Sequence, residues 1–309
     1  SAVSTGSQLL NLVTFVVVQF AMGITVLIAR YLGEKKPQQI GAVVGGASIV
    51  FTIISAVLFV VMVFFARPIS ILMQAPEEAV DLTASYIRIC GGGIFFIVAY
   101  NLLSAIFRGL GDSQSPLLFV LVACIVNVIG DLALVAGLHM DAAGAAIATV
   151  AGQIIAAIIG LFVNLKKNPE IHIRAKLVRW HGATAGEIYR VGVPSIIMGS
   201  IGSVMTFGMN KILIAFTTTA TAVFGAYFKL QSFIFMPVFG LNNAMVPILS
   251  YNYGARKPER VKKTVKLSIF TAIGIMILGF AAFELIPDVL LELFDASETM
   301  LSIGTTALR

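Results

Sequence analysis

Eight long apolar segments constrain this chain more than any other feature of its sequence. A helix needs about 20 predominantly apolar residues to cross the hydrocarbon core of a bilayer. Segments of about that length run over Leu9–Tyr31, Gly41–Ala66, Ser85–Phe107, Leu117–Gly137, Ala142–Leu165, Val191–Ala215, Ala222–Leu249 and Lys266–Ile286. None of them alternates in the way of a membrane β-strand. The sequence therefore predicts an all-α polytopic membrane protein with about eight transmembrane helices.

The composition agrees with a chain whose solvent is lipid. Hydrophobic residues make up 58% of the chain and charged residues 12%, whereas soluble domains are about one quarter charged. The net charge of +6 does not indicate nucleic-acid binding, because the basic residues lie in short segments between apolar spans. Both cysteines, Cys90 and Cys124, lie inside apolar runs, so neither a disulfide framework nor a zinc site is expected.

The charges of the loops predict how the chain is oriented. Basic residues follow the first, third, fifth and seventh spans, whereas acidic residues follow the second, fourth and eighth. Basic loops stay on the cytoplasmic side of a membrane. We therefore expect a multi-pass protein of the plasma membrane with Ser1 on the outer side, and an odd number of helices before Ser1.

One loop sequence occurs twice. The segment ARYLGEKKPQQI ends the first span and SYNYGARKPERV ends the seventh, and their Gly, Lys and Pro residues align at an offset of 221 residues. Further on, the segment from Pro68 resembles the segment from Pro287 if two residues are inserted. Because the copies lie six spans apart, the pattern predicts a parallel repeat of two six-helix bundles.

The repeat divides the chain into three parts. Residues 1–165 are predicted to form an N-terminal lobe, residues 166–190 a cytoplasmic linker, and residues 191–309 part of a C-terminal lobe. A parent of twelve helices is then expected, with helices two to six in the first lobe and seven to nine in the second. The first helix and the last three are expected to lie outside this sequence.

Asp131 is the clearest candidate for chemistry inside the bilayer. It lies about 21 Å along its span from Leu117, where a charge costs about 2.5–3.5 kcal/mol and usually has a role. Asn127, four residues earlier, shares its helix face. An amide oxygen beside a carboxylate suits a small cation such as sodium, and a carboxyl group removed from water also binds a proton more readily.

Two further side chains are candidates for the same cation site. Thr149 in the next span offers a hydroxyl oxygen, and Asn101 in the third span offers an amide. Other interpretations stay open, because Asp131 could lock helices together by pairing with a polar neighbour, and intramembrane Asn and Thr often bond backbone carbonyls. The glycines of Gly91–Gly93 lack the pattern of a phosphate loop and indicate close helix packing.

Four motifs carry a resemblance to a known family. They cover nearly the whole chain in order and read FRGLGDSQSP at Phe107–Pro116, DAAGAAIAT at Asp141–Thr149, RVGVPS at Arg190–Ser195, and PVFGLNNAMVPILSYNYGARKPER at Pro237–Arg260. The chain thus resembles the multidrug and toxic compound extrusion (MATE) family of cation-coupled antiporters. The resemblance implies two lobes around a central cavity, and drug export driven by inward proton or sodium flow.

The resemblance also implies roles for particular residues. One prokaryotic branch of the family uses an Asn and an Asp four residues apart in the fifth helix and a Thr in the sixth, which match Asn127, Asp131 and Thr149 by motif order. That branch also uses an Asp in the first helix, which this sequence does not include. Another branch places a Glu in the seventh helix, whereas Val191–Ala215 contains no carboxylate.

The second half of the chain supplies candidates for the substrate cavity. Lys229 and Gln231 lie within an apolar span, and Met205 and Phe233 could line a greasy cavity for flat cationic drugs. Lys229 could instead snorkel or pair with an acid, and the apolar side chains could face lipid or pack in the core.

The leading functional hypothesis is therefore a secondary antiporter that exports organic cations in exchange for protons or sodium ions. Its expected partners are small organic cations and the lipid bilayer, with no cofactor and no nucleic acid, and it is expected to be monomeric. A lipid-linked oligosaccharide flippase of the same superfamily is the alternative. A membrane-embedded enzyme is disfavoured, because the three histidines lie in loops and neither HExxH nor GxSxG occurs.

Overall fold

The computed structural model describes residues 2–73, 75–167, 182–213, 218–292 and 297–308, and the regular secondary structure of these residues is entirely helical. The helices of the first half are α1 (Ala2–Gly33), α2 (Pro37–Phe64), α3 (Ala66–Leu72), α4 (Val80–Gly92), α5 (Ile94–Gly109), α6 (Gln114–Asp131) and α7 (Asp141–Lys167). The helices of the second half are α8 (Gly182–Leu213), α9 (Thr218–Gly254), α10 (Pro258–Leu285), α11 (Pro287–Glu292) and α12 (Glu298–Leu308).

Six segments of the described chain are helical, long and apolar enough to cross a membrane, and a bent helix pair raises the number to seven. The six are Ala2–Gly33, Pro37–Phe64, Gln114–Gly137, Asp141–Lys167, Ala222–Gly254 and Pro258–Leu285. The sixth predicted span, Val191–Ala215, lies within α8 as far as Leu213 and then enters residues outside the described ones. The prediction of an all-α polytopic membrane protein is confirmed.

The third predicted span, Ser85–Phe107, is not one continuous helix. The segments Glu77–Gly92 and Ile94–Gly109 meet at an angle of 53°. Close packing at this break explains two of the three glycines, since a Cβ at Gly91 would lie 2.7 Å from the Met62 Cβ and one at Gly93 would overlap the side chain of Val150, whereas one at Gly92 would meet nothing within 4 Å. The expectation of close helix packing at this run is confirmed.

The described chain separates into two compact units. The first unit contains residues 1–196 and 254–256, and the second contains residues 197–253 and 257–309. Residues 168–181 of the predicted linker lie outside the described residues, and the rest of the linker belongs to the ends of α7 and α8. The division into two lobes of a twelve-helix parent stays a prediction.

The core of the first unit lies where α1, α2, α4 and α5 pack together. It is made of aliphatic side chains with a few aromatic ones, and its largest fully buried members include Ile24, Ile28, Ile40, Phe51, Ile87 and Ile106. Several hydroxyl groups in this core, among them those of Thr25, Ser55 and Ser70, bond to backbone carbonyls. The Thr25 hydroxyl on α1 donates to the Ala105 carbonyl of α5 at 3.0 Å, which joins the two helices.

The repeated loop has the same backbone geometry in both copies. Lys35 and Arg256 both adopt positive φ, at 57° and 54°, a conformation that is uncommon outside glycine. The matching backbone hydrogen bonds run from Lys36 N to Tyr31 O at 3.0 Å and from Lys257 N to Asn252 O at 2.9 Å. The helices that follow, α2 and α10, each begin at a proline and are 28 residues long.

The structural repeat extends further than the sequence match. Where α2 ends, the Phe65 N–H donates to the Val61 carbonyl, and where α10 ends, the Ile286 N–H donates to the Ala282 carbonyl. Both bonds measure 3.1 Å, and the two pairs are again 221 residues apart. The backbone needs no insertion here, because at this offset Pro287 is the counterpart of Ala66, the first residue of α3, and not of Pro68. The two segments resemble each other because each has a proline near a helix break, but these two prolines do not occupy equivalent backbone positions.

Replacing glycines by alanine is expected to distinguish glycines in tight helix contacts from glycines with open space around them. A Cβ at Gly152 in α7 would lie 2.7 Å from the backbone oxygen of Ala123 in α6, whereas one at Gly274 in α10 would meet nothing within 4 Å. Gly152→Ala should destabilise the protein by about 1–3 kcal/mol. Gly274→Ala should be neutral or stabilise it by up to about 1 kcal/mol, since alanine favours a helix. Thermal unfolding of the purified variants measures both, and equal unfolding midpoints would contradict this packing.

Candidate functional site

Two of the predicted cation-site residues meet between α6 and α7. The Asn127 amide Nδ2 donates a hydrogen bond to the Thr149 hydroxyl oxygen at 3.2 Å. The Thr149 hydroxyl donates in turn to the Ala145 carbonyl at 2.9 Å. Because Nδ2 of Asn127 is engaged in this way, its oxygen Oδ1 is left to accept another group.

Small residues allow α6 and α7 to approach closely enough for this contact. A Cβ at Gly130 of α6 would lie 2.7 Å from the Cβ of Ala148, and a Cβ at Gly152 of α7 would meet Ala123. Gly130 lies between Asn127 and Asp131, and Ala148 precedes Thr149. The same close packing therefore holds the polar side chains of the two helices against each other.

Asp131 is the last residue of α6 and is half-buried. A π-helical segment, Leu132–Gly137, follows it directly, and such segments are frequent at functional sites. The Asp131 Oδ1 atom is buried and has no hydrogen-bond partner among the described residues. No described basic side chain forms an ion pair with this carboxylate. An acceptor oxygen held away from water in this way fits a proton or a small cation.

Tyr86 on α4 lies close to this group. Its side chain is near the Thr149 hydroxyl, the Cys90 thiol and the Asp131 carboxylate. The Tyr86 ring packs against Gly6 of α1, where a Cβ would lie 2.5 Å from the ring. Residues of α4, α6 and α7 thus surround the candidate site, which Tyr86 also connects to α1.

A cavity of about 320 Å³ opens beside the Asn127–Thr149 pair. Its lining is neutral and partly polar, and consists of Tyr100, Val120, Ala123, Cys124, Asn127, Thr149 and Gln153. Three of these side chains carry amide or hydroxyl groups from α6 and α7. The cavity therefore gives the predicted site a space for a small ligand.

Gln153 is, like Tyr86, a site residue that was not predicted from the sequence. Its Oε1 atom is buried without a hydrogen-bond partner in the described part of the chain, and the residue lines the cavity. The signal was present in the sequence, because Gln153 follows Thr149 by four residues and so shares its helix face. By its position in the sequence, Gln153 was as good a candidate for the site as Asn127.

Asn101 lies apart from this hydrogen-bonded pair. It is buried, and its Nδ2 donates to the Ile97 carbonyl of its own helix at 2.7 Å. The residue of α5 that reaches the cavity is its neighbour Tyr100. The amide nitrogen of Asn101 therefore bonds to a backbone carbonyl, which was one of the two interpretations of this residue. A role of Asn101 in cation binding stays a prediction.

The candidates of the second half lie on two helices of the second unit, α8 and α9. Met205 on α8 and Phe233 on α9 are exposed, as is Lys229, whereas Gln231 is half-buried. A cavity of about 190 Å³ in that unit lies further along α9 and α10 and is lined by Val238, Leu241, Asn242, Met245, Val265, Ser268, Ile269 and Ala272. The assignment of Met205, Lys229, Gln231 and Phe233 to a substrate cavity stays a prediction.

The start of α6 is anchored by a charged group outside the membrane-spanning segments. Asp112 Oδ1 accepts the backbone N–H groups of Gln114 and Ser115 at 3.1 and 3.0 Å, and Oδ2 accepts the Ser115 hydroxyl at 2.6 Å. Lys167 Nζ at the end of α7 donates to Asp112 Oδ2 at 3.2 Å. This carboxylate caps α6 and ties it to α7, which fixes the two helices that carry the candidate site.

The model of the MatE family matches residues 1–132 and 194–309 of the chain. The chain belongs to the MatE family. The first matched segment of this MatE protein includes Asn127 and Asp131, whereas Thr149 and Gln153 lie between the two segments. Membership confirms the predicted family, whose members are transporters and not enzymes, and agrees with a multi-pass membrane protein.

The MatE chain is similar to curated multidrug export proteins over most of its length. It is 25% identical over 293 residues to the multidrug export protein MepA of Staphylococcus haemolyticus. These residues make up 94% of the chain and 64% of that relative. It is 27% identical over 257 residues to the protein of the same name from Staphylococcus saprophyticus, which covers 83% of the chain and 56% of the relative. The chain thus spans less than two thirds of the length of these relatives.

Solved structures show the same fold over the whole MatE chain. A MOP superfamily transporter from Pyrococcus furiosus, with a binding pocket of reverse polarity, superposes with a TM-score of 0.91 at 23% identity. A multidrug resistance MATE family transporter in an outward-facing conformation superposes with a TM-score of 0.89 at 22% identity. Each match covers 100% of this chain and 69% of the other.

Acid should weaken the anchor of α6. Burial by itself would raise the pKa of the Asp112 carboxyl, but the hydrogen bonds from Ser115 and Lys167 outweigh it and lower the pKa below its ordinary value of 3.8. A lowered pKa contributes stability that is complete above the ordinary value and is lost as the pH falls through the folded-state value. We expect Asp112→Asn to lower the unfolding midpoint at neutral pH and to reduce its fall on acidification.

Thermal unfolding of the purified protein between pH 7 and pH 2.5 measures this contribution. Asp141→Asn is a matched control, because Asp141 is exposed. A pH dependence of unfolding that is the same in the Asp112→Asn variant and the parent would contradict the assigned role.

Proposed function

We propose that this protein is a secondary active antiporter that exports organic cations or drugs in exchange for inward protons or sodium ions. The names of its relatives support export, since the similar staphylococcal proteins are multidrug export proteins. Because the chain spans 64% of the first of these relatives, its substrates and coupling are inferred from its own residues.

The unpartnered Oδ1 atom of Asp131 carries the proposal. Within the described chain this buried oxygen accepts no hydrogen bond, so no protein donor stabilises the charge on this oxygen when Asp131 is ionised. A charge inside a spanning helix costs up to about 2.5–3.5 kcal/mol. Binding a proton or a cation removes that charge, and the first unit then favours a different conformation.

The neighbouring oxygens decide which ions could bind. A sodium ion needs several oxygen ligands, and here they would be Asp131 Oδ1, Asn127 Oδ1 and the hydroxyl oxygen of Thr149. The bond from Asn127 Nδ2 to Thr149 would hold the amide oxygen available for such an ion. A proton needs Asp131 alone, so the two ions differ in how strongly they depend on Asn127.

The exported substrate would occupy the cavity beside this pair. Its lining holds no cationic side chain, and the nearest ionisable carboxylate of the site is Asp131, which favours a cationic or neutral ligand over an anionic one. A flippase for anionic lipid-linked oligosaccharides would need basic side chains at that place. The antiporter is therefore the better-supported function, with basic loops on the cytoplasmic side and a monomer as the working unit.

Asp131→Asn should abolish coupled export. The amide keeps the size of the side chain but neither binds a proton near neutral pH nor supplies the negative charge for sodium. Efflux of a cationic dye from proteoliposomes, driven in turn by an imposed proton or sodium gradient, measures the effect, and a loss of at least about a hundredfold is expected, in line with about 2.7 kcal/mol of lost coupling. Dye binding by the same variant shows whether the protein is folded.

Asp141→Asn is the matched control for this experiment. Asp141 lies at the start of α7, is exposed, and has a φ of 48° that asparagine also tolerates. Normal gradient-driven efflux by the Asp131→Asn variant would overturn the mechanism. Asn127→Ala then identifies the ion, because it should impair sodium-driven efflux far more than proton-driven efflux.

A further inference from the structure

Arg108 is a charged residue of the first unit that the proposed mechanism does not use. Among the described arginines it alone is neither exposed nor part of an ion pair. It is half-buried near the end of α5, and its Nε atom is buried without a hydrogen-bond partner in the described chain. Because this unit already covers that atom, a further segment packed on the unit could not reach it. Buried charges are ordinarily paired, so Arg108 calls for a functional explanation.

The acid closest to Arg108 along the chain is engaged elsewhere. Asp112, four residues after Arg108, accepts the backbone N–H groups of Gln114 and Ser115 and the ammonium group of Lys167. In the part of the chain that the structure describes, no carboxylate lies within ion-pair distance of the Arg108 guanidinium. The positive charge of Arg108 is therefore not cancelled within a pair, and it acts on its surroundings.

Two polar side chains connect Arg108 with the cavity beside Asn127. Tyr100 lines that cavity, and its side chain is near both Ser104 and Arg108. The three residues of α5 follow one another at intervals of four, so they lie on successive turns along one side of the helix. Side chains of a helix lean toward its N-terminus, which directs Arg108 back toward Tyr100. Ser104 is buried, and its Oγ atom also has no hydrogen-bond partner among the described residues.

The cavity extends in the direction of Arg108. Along α6 its lining runs from Asn127 to Val120, about 10 Å toward the end of the helix that Asp112 caps. The helix α5 ends at the same place, since only a short turn separates it from α6. The cavity and the polar side of α5 therefore both lead from the candidate cation site toward the loop between α5 and α6.

We propose that Arg108 is an electrostatic barrier that prevents the coupling cation from passing from the cavity beside Asn127 to the cytoplasm without a conformational change. This inference rests on the proposed function, in which a proton or sodium ion is the coupling ion and the loop after α5 is cytoplasmic. Buried polar atoms without protein partners, such as Ser104 Oγ, make a path that water can enter. A cation leak along this path would dissipate the gradient that drives export, and a fixed arginine charge excludes protons and cations from such paths in membrane channels.

Ion leak into proteoliposomes in the absence of an organic cation tests the barrier. The protein is reconstituted with a pH-sensitive or a sodium-sensitive dye inside, and the decay of an imposed gradient of either ion is followed. Arg108→Met removes the charge and supplies a long apolar side chain, which suits a half-buried position. The gradient of the coupling ion should then decay at least about tenfold faster, since at an effective dielectric of about 20 a charge about 12 Å away opposes a second cation by about that factor.

Two further variants separate the charge from other effects of the substitution. Arg108→Lys keeps the charge and should stay as tight as the parent. Arg88→Met is the matched control, because it removes one exposed arginine of α4 in the same unit and should not change the decay. Thermal unfolding verifies that each variant is folded. A tight Arg108→Met variant would overturn the proposal, and so would equally fast leaks in Arg108→Met and in either of the other two variants.

The double variant Arg108→Met, Asp131→Asn distinguishes this inference from the proposed function. If the leaking ion passes through the Asp131 site, the double variant should be as tight as the parent. A double variant that leaks as fast as Arg108→Met would support Arg108 as the barrier and contradict Asp131 as the coupling site.

Discussion

Polar groups inside the apolar spans must find partners within the protein, and this requirement organises the first unit. Lipid offers no hydrogen bonds, so the backbone closes into helices, and side-chain hydroxyls such as those of Ser48, Ser55 and Ser70 return to their own helix carbonyls. The contacts that depart from this pattern are informative. Thr25 reaches the carbonyl of a neighbouring helix, Asn127 reaches Thr149, and the Oδ1 atom of Asp131 reaches no described group.

The fold was accessible from the sequence because lipid imposes a strong and simple pattern. The lengths of the apolar segments predicted the helices, and the two Gly-Lys-Pro turns predicted a repeat whose backbone geometry agrees within a few degrees at Lys35 and Arg256. The 53° break at Gly93 was not predicted. The apolar character of the sequence continues across that residue. The close approach of Val150 from α7, which leaves no room for a side chain at Gly93, is not encoded in any local pattern.

The candidate site was accessible in part. Asn127 and Asp131 stand out because polar residues in a spanning helix are costly, and the meeting of Asn127 with Thr149 followed from motif order. Tyr86 and Gln153 were missed for different reasons. Gln153 had the same spacing signal as Asn127, whereas Tyr86 belongs to α4, and its proximity to Thr149 depends on how the bent pair α4 and α5 packs on α7. Distances between helices require the three-dimensional structure.

The repeated turn has a consequence for how such a protein diversifies. After an ancestral duplication, a backbone fixed by positive φ at Lys35 and Arg256 and by proline at each helix start can stay unchanged while the side chains it carries diverge. One copy then remains free to pack glycine and alanine against its neighbours, and the other to acquire lysines and bulky aliphatic residues. Exchanging these loops between the halves would keep both main chains intact, so each half can evolve as a separate module.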